Sequence, residues 1–276
     1  MHKEGSEAAH SGQPPEDMLK QDHLPLPHKS GPYIIQRNRQ PMTTLPTNDP
    51  APAVPIRRAA SVLMLREGAE GFEVFVQHRV ATMDFAAGMV VYPGGRVDPK
   101  DSETAGSGQL DPMIIRTHAE RWARTSVWDQ GEANAQQKAG EILAAALREV
   151  FEETGLVLDP GQLFPWANWV TPAGFPRRFD TYFFVAALAA DQEPAHQTTE
   201  AVRSDWAKPQ ELFAALERGE LKMMRPTQRT LLDAMELGTV QAIIANDAVI
   251  TAVHPDPRDS YSAHPVRASE IGTPGS

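Results

Sequence analysis

The feature that most constrains this chain is a proline-free run from Glu132 to Thr154 that closes on Gly155. Ala, Gln, Glu, Lys and Leu dominate it. These residues lose little side-chain freedom in a helix, and glycine is what a helix C-terminus prefers. The pattern predicts one long helix over 132–154. Its last turns read AALREVFEETGL, which packs Arg148 and three glutamates into six positions. At about 100° per residue, Leu143, Leu147, Val150 and Phe151 share one apolar sector, expected to pack on a sheet. Glu149, Glu152 and Glu153 share another, with Arg148 one turn before Glu152 and placed to hold it by an i,i+4 pair. Three carboxylates on one turn repel and should raise one another's pKa. A hard divalent cation removes that cost, because Mg²⁺ and Mn²⁺ prefer oxygen-rich, anionic sites. The competing reading is a solvated charged face. Against it stand the apolar stripe alongside, the closing glycine and a Pro93-Gly94-Gly95 turn upstream.

The rest of the chain supplies strands for that helix to cover. Ser61–Arg66 and Phe72–Arg79 flank REGAEG and read as a β-hairpin with one buried face. Gly88–Tyr92 is a short apolar strand that stops at Pro93. Ala167–Val170 and Thr181–Ala187 are further strands, whereas Asp205–Arg218 and Thr227–Leu237 read as helices. Residues 102–130 turn from polar to a possible short helix carrying Trp122 and Trp128. Strands and helices mix without strict βαβ alternation, so the expected class is α+β, a mixed β-sheet flanked by helices.

Composition sets the boundaries. Of 24 prolines, ten lie in residues 1–55, together with four of the nine histidines and almost no apolar periodicity. Such a segment cannot bury enough apolar surface to offset its ordering entropy, so 1–55 is expected to be a disordered tail, and 254–276 likewise. One domain over 56–253 remains. No cysteine is present, which excludes disulfides and thiolate metal sites and fits a reducing cytoplasm. No apolar run approaches the roughly 18 residues of a membrane span, and the first residues lack the apolar stretch expected of a signal peptide. A net charge of −10 argues against nucleic acid as a partner, though not against a small anion met by local cations.

REVFEETGL (Arg148–Leu156) resembles the core of the Nudix box, an R-E-apolar-x-E-E-x-G-apolar pattern, and PGGRVDPKD (Pro93–Asp101) resembles its opening, with Gly95 as first residue. Asp101 stands where the box carries glutamate. The box usually sets that acid about two helical turns before the arginine; here an insertion of about residues 102–140 separates them. Such a split box resembles the branch that includes the peroxisomal coenzyme A diphosphatase, as do the runs Met83–Asp98 and Trp169–Phe184. The resemblance implies a Nudix-type α/β/α sandwich and metal-dependent hydrolysis of a diphosphate in a nucleoside derivative, with coenzyme A or an acyl-CoA first. ADP-ribose, NADH or a nucleotide sugar is the runner-up. It implies Mg²⁺ or Mn²⁺ on Glu149, Glu152 and Glu153, positioned by Arg148, and a Gly94-Gly95 backbone close to the phosphates. A Nudix-fold binding module without turnover is the rival class. It is disfavoured because all three glutamates are present.

Other residues divide between roles. Arg177 and Arg178 in FPRRFDTYFF are candidates for bidentate phosphate binding, against surface charge. Asp180 and Thr181 fit the branch motif without an independent argument. Glu200 is a candidate general base, against a solvated loop glutamate, and Glu149 is its rival for that role. Trp169 and Trp206 either stack on an adenine or, more in keeping with large aromatics, pack in the core. Trp122 and Trp128 form a lid, a homodimer contact or plain packing. The scattered histidines receive no role.

Overall fold

The computed structural model describes residues 54–80 and 86–256. The expected tails, apart from Val54, Pro55 and residues 254–256, lie outside the described residues, as do Met83–Phe85 of the branch motif.

Strands β1 (Ile56–Gly68) and β2 (Gly71–Arg79) form the expected hairpin, closed by a Gly68↔Gly71 pairing. One buried face was the expectation; both are buried. Val62 and Met64 of β1 point to one core, Leu63 and Leu65 to another. The reason is position. β1 lies inside the sheet, parallel to β6 (Arg178–Ala187) on one side and antiparallel to β2 on the other. A central strand covered on both faces reads as continuous apolar sequence, and SVLML does. The sheet continues from β6 to β5 (Leu163–Val170) and β8 (Ala252–Val253). At the other end β3 (Val90–Val91) and β7 (Ala201–Ala207) pair with β2, while β4 (Gly94–Arg96) pairs with β1. This is a mixed sheet.

Helix α1 (Pro99–Gly106), α2 (Pro112–Arg121) and α3 (Glu132–Thr154) cover one face. On the other lie α4 (Pro209–Glu217), α5 (Arg225–Leu237) and α6 (Val240–Ile244). The fold is therefore the α+β sandwich expected. Among the described residues no helix is long and apolar enough to cross a membrane.

α3 has the predicted bounds. Gly155 ends it with φ of 70°, a left-handed conformation that glycine adopts without strain, and its N–H donates to the Phe151 carbonyl at 2.8 Å. Its buried stripe is displaced from the expected one. Phe151 is 53% exposed, while Ala139, Ile142, Leu143, Ala146, Val150 and Glu153 are buried. Small alanines let the helix lie close to the sheet, and that closeness turns the stripe's edge away from Phe151 and toward Glu153. A second correction concerns Asp205–Arg218. Residues 201–207 pair with β2 as a strand, and the helix starts at Pro209, because a proline suits the first helical position and would break an interior one.

The insertion folds onto the α3 side of the sheet as α1, α2 and a 3₁₀ turn at Ser126–Trp128. Trp122 is fully buried, edge-on to Tyr182 at 5.0 Å and Phe184 at 5.8 Å between centroids. Ser126 Oγ donates to Asp180 at 2.5 Å, and Asp180 also accepts from Asn168 and Tyr182. Asp180 therefore ties the insertion to β6. Plain packing describes Trp122.

Candidate active site

Strand β4 and the last turns of α3 meet at the edge of the sheet. Gly94 pairs with Ser61 and Gly95 with Ala60, so both glycines are pressed between β1 and the helix. A Cβ on Gly94 would sit 2.3 Å from the Ala60 carbonyl oxygen, and one on Gly95 would sit 2.2 Å from Glu149 Oε1. Only glycine allows that approach. Across the same gap the Gly94 N–H donates to Glu153 Oε2 at 3.0 Å. The two halves of the split motif are thus reunited in space.

Arg148 is the hub. Its Nε and Nη2 grip both oxygens of Asp101 at 2.9 Å each, Nη2 also donates to the Arg96 carbonyl at 2.9 Å, and Nη1 reaches Glu149 at 2.6 Å and Glu152 at 3.0 Å. The i,i+4 pair expected from sequence is present. Asp101 is almost fully buried, and its Oδ2 also accepts from the Asp98 N–H at the start of α1. The shorter acid at this box position therefore fixes Arg148 and, with it, the insertion's first helix.

The three glutamates differ. Burial pushes Glu153 up to about 8, opposed by the Gly94 N–H; Arg79 and Glu200 act on it in opposite senses. Burial also raises Glu149, against the pull of Arg148. Glu152 departs from the expectation that all three rise. The bond from Lys100 Nζ, at 2.7 Å, lowers it first, and Arg148 adds to the effect. Mutual repulsion is secondary to desolvation and to these two cations. Chemically the donor set suits a hard divalent cation, being all carboxylate and close to a buried face. Its orientation does not make a ready-made metal group: among the described residues no three His, Asp or Glu converge as one. Glu152 would have to leave Lys100, and Glu149 turn from Arg148, to share an ion with Glu153.

Beside this cluster opens a cleft of about 710 Å³ lined by Arg57, Arg79, Arg96, Arg177, Arg178 and Glu200. Sequence reading found Arg177, Arg178 and Glu200. It missed Arg57, Arg79, Arg96 and Lys100, which sit on β1, on β2, on β4 and at the start of α1. A basic residue interrupting or ending an apolar strand was the only signal available. A smaller chamber of about 130 Å³ adjoins it, sharing Arg79, Gly94, Arg96 and Phe179 and taking in Thr181. Trp169 and Trp206 line neither chamber. Trp169 is buried in the core, and Trp206 lies edge-on to Phe75 with the Arg66 guanidinium 4.3 Å above its ring, so both serve packing rather than base stacking.

Residues 130–234 match the family model of the NUDIX domain. Over that stretch the chain is similar to the NUDIX domain family. The matched stretch begins just before α3 and omits Gly94, Gly95 and Asp101, as an insertion between the box halves would cause. Nudix hydrolase 7, as the name of a Caenorhabditis elegans relative reads in part, is 26% identical over 175 residues, 62% of this chain and 57% of that protein. The chain thus matches little more than half the length of this curated relative. A crystal structure of a Nudix hydrolase from Alicyclobacillus acidocaldarius superposes with a TM-score of 0.57 at 24% identity, covering 71% of this chain and 98% of that one. The Nudix fold is the architecture described above.

Proposed function

We propose that this Nudix domain hydrolyses the diphosphate bond of a nucleoside diphosphate derivative. The observation that carries the reading is that Glu149 and Glu153 lie against the Gly94-Gly95 backbone, with Glu152 tied to Glu149 through Arg148, beside a cleft lined by five arginines. Carboxylates beside arginines are poorly explained as surface solvation. They suit a site where carboxylates would hold a divalent cation while guanidiniums hold phosphate oxygens.

In this reading Glu149, Glu152 and Glu153 would hold Mg²⁺ or Mn²⁺, and Arg148, bonded to both Glu149 and Glu152, holds those two carboxylates together. Such an ion, when bound, would neutralise the diphosphate and lower the pKa of an attacking water. Arg177 and Arg178 bind the phosphate chain, and the glycine backbone lets it approach α3 closely. Water oxygen bonds to one phosphorus, the bridging P–O bond breaks, and the water proton passes to a carboxylate, Glu149 or Glu200. Coenzyme A or an acyl-CoA is the substrate we favour, on the split box. ADP-ribose, NADH or a nucleotide sugar offers the same bond.

The test is hydrolysis of that panel with Mg²⁺ or Mn²⁺, with Glu152→Gln as control. Removing one carboxylate should lower the rate at least about a hundredfold, the scale on which a single transition-state electrostatic partner acts. Full activity in the variant, or no turnover of any diphosphate by the wild type, would overturn the proposal; the latter would favour a binding module.

A further inference from the structure

Glu200 enters the cleft as half of an ion pair, its carboxylate 2.8 Å from Nη2 of Arg79 at the end of β2. The backbone fixes both partners. Val80 N–H donates to the Glu200 carbonyl at 3.0 Å. A bulge between β2 and β7 follows the His78↔Arg203 pair, so Ala201, not Val202, stands opposite Arg79. Bulges of this kind bend a strand and re-aim side chains beside functional sites. By the two-residue period of a strand, Arg79 shares a side of β2 with Gln77 and Phe75, and Phe75 packs in the core that contains α3. Arg79 is thereby delivered to the end of α3, where it lines both the larger and the smaller chamber.

One buried donor of this guanidinium is left over. Its Nε is buried and has no hydrogen-bond partner. A buried donor without an acceptor is costly, and in native structures such a donor is commonly completed by a ligand, an ion or ordered water. An oxyanion at the junction of the two chambers, both of which Arg79 lines, would supply the missing acceptor. Resting on the diphosphate chemistry proposed above, we infer that Arg79 binds a substrate phosphate and that Glu200 is the positioning residue that aims it, leaving the water proton to another carboxylate. The arrangement is a relay of fixed parts: bulge, carboxylate, guanidinium, phosphate.

Two readouts test this. In steady-state hydrolysis, Glu200→Ala should raise KM roughly tenfold or more, the range of one charged hydrogen bond, with kcat changed much less. Glu200→Gln should recover most of the loss, because its amide oxygen still accepts from Nη2. Arg79→Met should match Glu200→Ala, and the double variant should be no worse than Arg79→Met alone. The second readout needs no turnover. Calorimetric binding of α,β-methylene-ADP with Mg²⁺ should weaken by the same factor in Arg79→Met and Glu200→Ala and stay closer to wild type in Arg79→Lys. A kcat lower by two or more orders in Glu200→Gln at unchanged KM would instead identify Glu200 as the base. That result, or wild-type protein binding the analogue no better than Arg79→Met, overturns the inference. A wild type that binds the analogue through Arg79 yet hydrolyses nothing leaves the inference standing and removes the proposed turnover.

Discussion

Gly95 shows how much one missing atom governs. Its place in the sequence suggests a turn whose backbone approaches a ligand closely, and in the fold the space a side chain would need is occupied by the Glu149 carboxylate. Gly95→Ala should therefore leave folding largely intact, because the clash is with the far end of a flexible side chain, while displacing that carboxylate from the cluster. We expect at least about a tenfold loss of hydrolysis, the order that one lost charged hydrogen bond explains. The thermal midpoint should stay within a few degrees of wild type, read by circular dichroism. A large loss of stability with normal activity would show that the glycine serves the backbone instead. Asp101 makes the complementary point. A departure from the box that weakens its reading in sequence becomes, in the fold, the bidentate partner of Arg148.

At the scale of elements, the insertion behaves as part of the core. Trp122 ends α2 and sits edge-on against Tyr182 and Phe184 of β6, so the segment between the box halves contributes one of the largest fully buried side chains. Replacing Trp122 by alanine should cost about 3–5 kcal/mol, the usual penalty for emptying a large aromatic site. Urea unfolding would measure it. A cost under about 1 kcal/mol would mean that the insertion is a detachable lid after all. The long helix was readable because its signals are local: no proline, good helix formers, a glycine stop. Strand β7 was not. DWA reads as a helix start when taken with the residues that follow it, and only pairing with β2, distant in sequence, makes it extended.

For the whole molecule, stability against acid should depend on His118. Burial holds this side chain down to about 4, and nearby Arg121 adds to the effect while a hydrogen bond to the Leu163 backbone opposes it. In the unfolded chain it titrates near 6.5. A group with a depressed folded pKa must take up its proton on unfolding, so its contribution is complete above about 6.5 and is lost as pH falls toward 4. Between pH 7.5 and pH 5 that amounts to about 2 kcal/mol. Glu153, with its folded value raised, works in the opposite sense over part of the same window. The comparison must therefore be made against His118→Gln, which should lose less stability than wild type over that interval in urea titrations. Equal losses would rule out His118 as the cause.

What the chain alone determined is whatever depends on neighbours in sequence. The period and composition of 132–154 dictate a helix, the single-turn spacing puts three glutamates on one side of it, and REVFEETG carries the resemblance to the Nudix box. The three-dimensional fold decided which of those carboxylates is buried, which cation holds which oxygen, and that arginines from four different strands line one cleft. Burial and charge pairing are set by distances across the sheet, and a sheet joins residues that the chain keeps far apart.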